Sequence, residues 1–398
     1  MIRYAATFLA LSLAGVLLAQ EPSPQRPAPY FDARRHPTEY VGPGRELPEP
    51  VDVADVPLAY MGPADDAHPD WGDAWRGARL AIEEVNAAGG YRGKPFRLLP
   101  AWSENPWGTG VSQLARHVYA DGVWAIVGGV DAVSTHLAEQ IVVKALLAQV
   151  SFGNTDPSVH LTNVPWVFGL APTDDTLAPI VAQAVLRRVG SPGRWAALTA
   201  TDHDSHVTWC EVSSALSQRL ALAPVLHVEV TPEDEPDAQA AADVCRAGVP
   251  VVVVVARARE AARLVGALRE AGFQGAIVGG ATLGRRPFLE EAGADAEGVV
   301  FPLLFDADRA PSAFTAAYRG RFGAEPDWLA AHAYDAVRLV AAAVREAGLN
   351  RVRIQDALRA IVPWDGVTGR IAWDATGRRV REIGLGTIRA GRVVPAEE

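Results

Sequence analysis

From residue 56 onward, short apolar runs alternate with segments in which apolar residues recur every three or four positions. Such runs are typical of buried strands, and such spacing is typical of helices with one apolar face. The runs predict strands at residues 56–61, 96–102, 124–127, 148–152, 166–170, 195–199, 225–230, 251–255, 276–278 and 298–301. The spacing predicts helices at residues 111–119, 134–145, 176–189, 209–220, 238–247, 258–271, 313–322 and 330–347. This alternation predicts an α/β protein with parallel sheets.

A further helix with a glycine turn is predicted between the first two strands, within residues 71–99. Asp73 is predicted to be its N-cap, because a carboxylate accepts hydrogen bonds from first-turn N–H groups. One apolar face follows at helical spacing: Ala74, Ala78, Ala81, Ile82 and Val85. The helix is predicted to end within residues 86–90, because glycine tolerates the left-handed conformation common at helix ends.

The strand–helix series starts twice, which indicates two similar halves. It begins at residue 56 and again near Trp195, after the segment around Pro172. The run of five valines at 251–255 is apolar on both faces, as a central parallel strand must be when helices cover both sides. Two doubly wound parallel-sheet lobes are therefore predicted, with the binding site between them at the carboxyl ends of the strands.

Length and charge narrow the class of protein further. The chain has 398 residues, which exceeds a comfortable single core and favours two domains. Its formal net charge is −10, whereas nucleic-acid binding needs a basic surface. We therefore expect no nucleic-acid partner.

The N-terminal fifty residues differ from the rest of the chain. Residues 1–20 combine an early Arg3 with an apolar run too short to span a membrane, the pattern of a secretory signal peptide. Residues 21–50 are rich in proline and charge, which predicts an extended or disordered tether or, alternatively, a strap lying over the domain. The mature protein is expected to be exported, in the periplasm or beyond it.

An exported protein can form disulfides, and two cysteines are present, Cys210 and Cys245. They fall on successive helices, which lie on opposite faces of a doubly wound sheet. Because a disulfide needs Cα atoms within about 7 Å, both are predicted to be free thiols.

Several motifs, taken together in their order and spacing, resemble a known family. They are ARLAIEEVNAAGGYRGKPF, GG…STHLAE, SFGNTDP, REAGF, AEGVVF and AHAYDAVRL. The pattern is similar to type I periplasmic solute-binding proteins of the leucine/isoleucine/valine-binding kind. The resemblance covers residues 56–394.

The resemblance implies two lobes joined by a three-segment hinge. The first lobe would comprise residues 51–172 and 304–362, and the second 173–303 and 363–398. The chain would cross near residues 170–173, 301–305 and 362–365. The implied function is capture of a small solute by lobe closure, for delivery to an ABC transporter permease. The protein is expected to be a monomer without a cofactor, and to meet the membrane only through that partner.

The resemblance also implies site residues in the first lobe. Trp71 occupies a position where the family often places a ring over the ligand; surface packing is the alternative. Ala132 stands where amino-acid binders commonly have a carboxylate-binding serine, which leaves Asp131, Ser134, Thr135 and the helix N-terminus. Ser134 and Thr135 could instead cap that helix. In the SFGNTDP loop, Gly153 would approach the ligand with its backbone and Thr155 with its hydroxyl.

The second lobe departs from the amino-acid-binding pattern. The segment TDHDSHVTW places Ser205 and His206 where the family usually has a Tyr-Gly pair, with Asp202 nearby. Polar ligand contacts, a metal site and a hydrogen-bonded loop all remain possible there. Arg257 replaces a contacting aromatic residue and could clamp an anion, or lie on the surface.

The residue that would neutralise a ligand ammonium is also replaced. Ala281 stands at the place of the usual acidic residue, with Thr282 beside it. The lead expectation is therefore a carboxylate or another polar solute, supported by Arg257 and Arg285, with an aliphatic amino acid less favoured.

The alternatives to a transport protein are an enzyme and a ligand-sensing receptor. The sequence has no G-x-S-x-G, HExxH or phosphate-binding glycine loop, so we do not expect an enzyme. A ligand-sensing receptor of the same fold, acting on a membrane kinase or chemoreceptor, is the closer alternative to transport.

Overall fold

A computed structural model describes residues 39–162, 164–190, 193–220, 223–231 and 237–397. The predicted signal peptide and residues 21–38 of the predicted tether lie outside the described residues. The strands are β1 (Val56–Met61), β2 (Phe96–Ala101), β3 (Ile126–Gly128), β4 (Gln149–Ser151), β5 (Val167–Gly169), β6 (Ala196–Ala200), β7 (Leu226–Val230), β8 (Val251–Val255), β9 (Ala276–Gly279), β10 (Val300–Pro302), β11 (Trp364–Gly366), β12 (Gly369–Ile371), β13 (Leu385–Arg389) and β14 (Arg392–Pro395).

The α-helices are α1 (Gly72–Ala87), α2 (Val111–Tyr119), α3 (Ala132–Ala145), α4 (Ser158–Leu161), α5 (Asp174–Leu186), α6 (His203–Leu220), α7 (Asp237–Ala247), α8 (Ala258–Glu270), α9 (Arg286–Ala292), α10 (Ser312–Phe322), α11 (Trp328–Ala347) and α12 (Arg351–Ala360). Short helical turns cover Pro106–Gly110, Ala281–Gly284 and Gly293–Ala296. Within the described ranges, no helix combines the length and apolarity needed to cross a membrane.

The first lobe contains a five-stranded parallel sheet in the order β2-β1-β3-β4-β5. Every residue of β1 is buried, because helices cover both faces of the sheet. Three of those helices, α10 to α12, come from a later part of the chain than the sheet. The lobe is therefore discontinuous in sequence.

The second lobe contains a seven-stranded sheet in the order β14-β13-β10-β9-β8-β6-β7. Its parallel part has β8, the valine run, at its centre with all five residues buried. Strands β13 and β14 extend it as an antiparallel edge. Both lobes together confirm the predicted α/β class with parallel sheets.

The chain crosses between the lobes three times. The first crossing follows β5 and the second follows β10. The third differs from the predicted position at 362–365, because the β11–β12 hairpin packs in the first-lobe core through Ile371 and Val367. Arg378 also forms a bridge with Gly169 at the end of β5. The third crossing therefore comes only after this bridge, at residues 380–384, and residues 363–379 belong to the first lobe.

Residues 39–50, here named the strap, lie along the first lobe. The ring of Tyr40 is 4.8 Å from that of Trp166. Arg45 makes a bidentate ion pair with Asp356, at 2.6 and 2.8 Å. Glu49 accepts a hydrogen bond from the backbone N–H of Leu349. These twelve residues therefore form a strap lying over the domain, the alternative to an extended or disordered tether.

Both cysteines are free thiols, as predicted. Cys210 lies on α6, which packs in the core that includes Trp195, whereas Cys245 lies on α7, which packs in the core on the other face of the sheet. The opposite placement of the two helices keeps the sulfur atoms apart.

Candidate functional site

A cavity of about 70 Å³, here named the interlobe cavity, lies between the two lobes. Most of its walls are the loops that follow the carboxyl ends of the parallel strands, where ligands bind in sheets of this kind. The first lobe contributes Asp70, Trp71, Val130, Gly153, Thr155 and Trp328. The second contributes Asp174, Asp204, Ser205, Thr208, residues 255–258, residues 280–282 and Arg285.

Asp174, the first residue of α5, lies where the two lobes meet. Its Oδ2 accepts a hydrogen bond from Thr155 Oγ1 of the first lobe and another from Thr208 Oγ1 of the second, both at 2.9 Å. Its backbone N–H donates to the carbonyl of Thr155 at 2.7 Å. Burial raises the pKa of Asp174 to about 8, although the two hydroxyl groups oppose that rise. Without a cation beside it, this carboxylate is poorly stabilised.

Asp204 is a second carboxylate at the cavity. Burial, followed by the charge of Asp131, raises the pKa of Asp204 to about 7. Its Oδ1 accepts a hydrogen bond at 3.1 Å from the N–H of Ala132, the first residue of α3 in the opposite lobe. Asp204 therefore occupies the N-terminus of α3 where the sequence analysis expected a ligand carboxylate.

Arg257 supplies positive charge to the same cavity. Among the described residues its one ion pair is with Asp202, whose Oδ1 is 3.4 Å from Nε. Burial opposes the charge, but Asp202 and the other nearby carboxylates raise the pKa of Arg257. The guanidinium therefore stays charged, and the cavity presents both signs of charge.

Two tryptophans and an arginine close another wall. The Arg285 guanidinium lies 5.9 Å from the Trp71 ring centre and 5.5 Å from that of Trp328, within cation–π range. Its Nη2 donates to the carbonyl of Asp70 at 2.7 Å, and its Nε to Asp327 at 2.5 Å. Because Arg285 donates to these partners, it stabilises the wall of the cavity. It is therefore less available to bind an anion than predicted from the sequence.

Arg285 belongs to a buried set of charges that joins the lobes, here named the latch: Asp73, Arg285, Arg286 and Asp327. Arg286 Nε donates to Asp73 Oδ1 at 2.8 Å. Burial, followed by the charge of Asp327, raises the pKa of Asp73. For Asp327, Arg285 and two backbone N–H groups outweigh burial and lower the pKa. Asp73 is thus part of the latch, and Trp71 occupies the N-cap position predicted for Asp73.

Six of the ten residues predicted from the sequence line the interlobe cavity: Trp71, Gly153, Thr155, Ser205, Arg257 and Thr282. Two of them also have structural roles. A Cβ at Gly153 would lie 2.6 Å from the carbonyl oxygen of Val130, so glycine is required where these loops meet. Thr282 Oγ1 donates to the carbonyl of Ala256 at 2.8 Å and joins two loops of the second lobe.

Four predicted residues do not line the cavity: Asp131, Ser134, Thr135 and Asp202. Asp131 is the N-cap of α3 and forms a capping box with Ser134, while Thr135 Oγ1 donates to the carbonyl of Asp131. Asp202 accepts from the N–H of Ser205 at 3.3 Å, at the start of α6. All four satisfy backbone groups at helix ends, the alternative that the sequence left open for Ser134 and Thr135.

The segment TDHDSHVTW is therefore mostly helical, since α6 begins at His203 and not near Trp209 as predicted. Asp204, Ser205 and Thr208 lie along its first turns and reach the cavity. Among the described residues, no three His, Cys, Asp or Glu side chains are placed to hold a metal ion.

Twelve cavity residues were not among the predicted site residues, and the polar and aromatic ones among them are Asp70, Asp174, Asp204, Thr208, Arg285 and Trp328. Asp174 carried the clearest signal, because it directly follows the first predicted crossing at residues 170–173. Trp328 carried none that a single sequence shows, since it begins α11, far along the chain from the first-lobe strands.

Two hinged α/β lobes with a polar cavity between them define the class of two-lobed solute-binding proteins. The family model of the periplasmic binding protein matches residues 62–392. The chain belongs to the periplasmic binding protein family.

Known proteins similar to this chain are also binding proteins. An "amino acid binding protein" of Pseudomonas aeruginosa is 26% identical over 82% of this chain and 87% of its own length. The isoleucine complex of LivJ, a branched-chain amino acid transporter substrate-binding protein of Streptococcus pneumoniae, has a TM-score of 0.75 at 23% identity, covering 87% of this chain and 100% of that one. A solute-binding protein of R. palustris in complex with benzoate has a TM-score of 0.75 at 14% identity, covering 86% and 95%. At these identities the two solved structures support the fold.

Proposed function

We propose that this protein captures a small amino-acid-like solute between its lobes and delivers it to an ABC importer. The observation that carries the proposal is Asp174, a buried carboxylate held by one hydroxyl group from each lobe. A solute ammonium beside it would contact both lobes at once. Such a solute stabilises the closed form because it makes all of its contacts only there.

The charges at the cavity favour a zwitterion over a simple carboxylate. The carboxylates of Asp174 and Asp204 suit an ammonium group, and the Arg257 guanidinium suits a carboxylate. The absence of an acidic residue at Ala281 was the sequence argument against an amino acid. Asp174 and Asp204, in the first turns of α5 and α6, supply this charge once an ammonium beside them favours the ionised carboxylates, which reverses that argument.

The volume of the cavity favours a small solute. A space of about 70 Å³ accommodates on the order of five water-sized groups. This matches an amino acid with a short side chain better than one with a large apolar side chain. We propose glycine, alanine and serine as the first solutes to test.

Family membership supports the proposed partner and location. We propose that residues 1–20 direct export, that the mature chain acts as a monomer in the periplasm, and that it acts by binding alone, without a catalytic step or a cofactor. Its membrane partner would be an ABC transporter permease.

A thermal-shift panel on the mature protein tests the proposal after bound solute has been removed by partial unfolding and refolding. The panel contains amino acids, aliphatic and aromatic carboxylates, amines and divalent metals. A solute at 100 times its Kd adds about 2.7 kcal/mol to the stability of the folded state. We expect a shift with small amino acids. A shift confined to metals, or to carboxylates that lack an amine, would contradict the proposed solute class.

A further inference from the structure

A second cavity, of about 730 Å³, lies at the hinge and shares no lining residue with the interlobe cavity. Its walls include residues 303–306 of the second crossing and residues 381–385 of the third. Helix α5, which follows the first crossing, supplies a further wall. We name it the hinge cavity.

Four arginines line the hinge cavity: Arg187, Arg188, Arg309 and Arg381. Arg309 has a carboxylate partner, Asp306, at 3.4 Å. Arg188 donates to the carbonyl of Ala184 at 2.8 Å, and Arg381 to that of Leu304 at 2.9 Å. Among the described residues, no carboxylate oxygen lies within 4.0 Å of the guanidinium nitrogens of Arg187, Arg188 or Arg381.

Arg188 and Arg381 are partly buried, whereas Arg187 is exposed. Burial, followed by the charge of Arg187, lowers the pKa of Arg188, and burial lowers that of Arg381. Arg379, beside Arg381, has its pKa lowered to about 10 by burial and then by the charge of Arg381. The protein thus holds a positive cluster at the hinge without a matching negative charge.

The carboxylates that also line the cavity do not neutralise this cluster. Asp306 is paired with Arg309, and Glu397 is paired with Arg389 at 3.1 Å. Glu382 is exposed and makes no ion pair among the described residues. The net charge presented by Arg187, Arg188 and Arg381 is therefore positive.

We propose that the hinge cavity binds a small multivalent oxyanion, such as phosphate or a tricarboxylate. Guanidinium groups bind carboxylate and phosphate oxygens in paired hydrogen bonds, and three of them line this cavity without a carboxylate partner. The volume lies in the range of ordinary small-molecule sites. This site is independent of the proposed solute and of its chemical class.

The position of the hinge cavity couples it to lobe closure. Its walls include both later crossings and the helix after the first, so lobe movement changes its shape. An anion that binds the closed arrangement of the lobes more tightly than the open one stabilises closure, and by linkage it raises the affinity for the solute.

Isothermal titration of the mature protein with citrate and with inorganic phosphate, at constant ionic strength set with sodium chloride, tests the site. We expect saturable binding of at least one anion, weakened at least tenfold in an R188Q/R381Q double variant. The single variant Arg187→Gln, at an exposed position, should weaken binding several-fold without risk to folding. The control Arg319→Gln, at an exposed arginine that does not line the cavity, should stay within about twofold of the parent.

The two anions distinguish the source of the oxyanion. Binding of phosphate alone identifies a phosphate site, and binding of citrate alone identifies a polycarboxylate site. Absence of heat with both anions, binding that chloride abolishes at matched ionic strength, or equal binding by Arg187→Gln and the parent would overturn the proposal.

Small-angle scattering tests the coupling on the same samples. The radius of gyration of the solute-free protein should decrease on saturation with the anion in the parent and not in R188Q/R381Q. An unchanged radius in the parent would overturn the coupling.

Discussion

At the scale of single residues, the burial of Asp174 lowers the stability of the ligand-free protein at high pH. Its carboxyl group has a folded-state pKa of about 8 because it is buried, against about 3.9 in an unfolded chain. The stability that it contributes is therefore fully present below about pH 4 and is lost as the pH rises through about 8. Asp204, with a pKa of about 7, acts in the same direction.

The first prediction concerns the substitution Asp174→Asn. Since asparagine does not ionise, the ligand-free variant should be more stable than the parent at pH 8.5 by about 1–3 kcal/mol, and close to it at pH 4. Urea unfolding at the two pH values measures the difference. The exposed carboxylate Asp308 offers a control, since Asp308→Asn should change neither value. If the free energy of unfolding of the parent rose between pH 5 and pH 8.5 as steeply as that of Asp174→Asn, the burial argument would be contradicted.

Thr155 carries the second prediction. Its hydroxyl group donates to Asp174 from the first lobe, so Thr155→Ala removes half of the hydrogen bonding at that carboxylate. The variant should bind the solute more weakly by about 1–3 kcal/mol while its melting temperature changes little. Thr155→Ser keeps the donor and should bind like the parent. Equal affinities of the alanine and parent proteins, measured by titration calorimetry, would place the solute elsewhere.

At this scale the sequence predicted residues on loops better than residues near helix ends. Thr155 and Arg257, which the resemblance assigned to the ligand, both line the interlobe cavity. Asp131 and Ser134 were assigned to the ligand, but they satisfy the N-terminus of α3. Capping and ligand binding use the same residue types at the same positions, so only the three-dimensional arrangement separates them.

At the scale of secondary-structure elements, the packing of α1 against α11 depends on Gly77. A Cβ at this position would lie 2.0 Å from the carbonyl oxygen of Ala330, a backbone atom that cannot move independently. Glycine in a helix interior is otherwise unfavourable by about 1 kcal/mol relative to alanine. Close contact between the helices therefore outweighs helix propensity here.

The third prediction follows from that contact. Gly77→Ala should destabilise the protein by about 2–4 kcal/mol, because the two helices must move apart. Gly320→Ala in α10 is the matched control, since its Cβ would meet no atom within 4 Å. The control should be neutral or more stable by up to about 1 kcal/mol. Denaturant unfolding measures the stability of both variants. If Gly77→Ala did not change the free energy of unfolding, α1 and α11 would be less tightly packed than described.

Element types were predictable where the apolar pattern was long and regular, as for β8 and α11. Helix beginnings were less predictable. α6 begins at His203, but its apolar pattern starts only later, because its first turn is polar and faces the interlobe cavity. α9 has only seven residues, and α12 (RVRIQDALRA) is rich in polar residues, so neither shows a clear apolar pattern.

At the scale of the whole molecule, the latch links closure to charges outside the interlobe cavity. Arg286 belongs to the second lobe and donates to Asp73 of the first, and it does not line that cavity. The ion pair forms only when the lobes are close together. It therefore contributes to the closed form without touching the solute.

The fourth prediction is that Arg286→Gln shifts the equilibrium towards the open form. The solute should dissociate about 5- to 30-fold faster, corresponding to a loss of about 1–2 kcal/mol in the closed form. Stopped-flow measurement of tryptophan fluorescence gives this rate. Arg319→Gln removes an exposed pair with Glu325 and serves as control. An unchanged dissociation rate in Arg286→Gln would show that the latch does not hold the lobes together.

The two-lobed arrangement was predictable because the strand–helix series starts twice. The position of the third crossing was not, because β11 and β12 are short and have little periodicity. Only their packing against the first-lobe core shows to which lobe they belong. The docking of the strap likewise depends on contacts with α12, more than 300 residues away in sequence.

The central claim, that the interlobe cavity binds a small zwitterion through Asp174, is tested most directly by titration calorimetry with three related compounds. Alanine has both charged groups, ethylamine only the ammonium group, and propionate only the carboxylate. We predict that the parent protein binds alanine at least a hundredfold more tightly than either analogue, and that Asp174→Asn loses most of this preference over propionate. Tighter binding of propionate than of alanine, or an unchanged preference in Asp174→Asn, would contradict the claim.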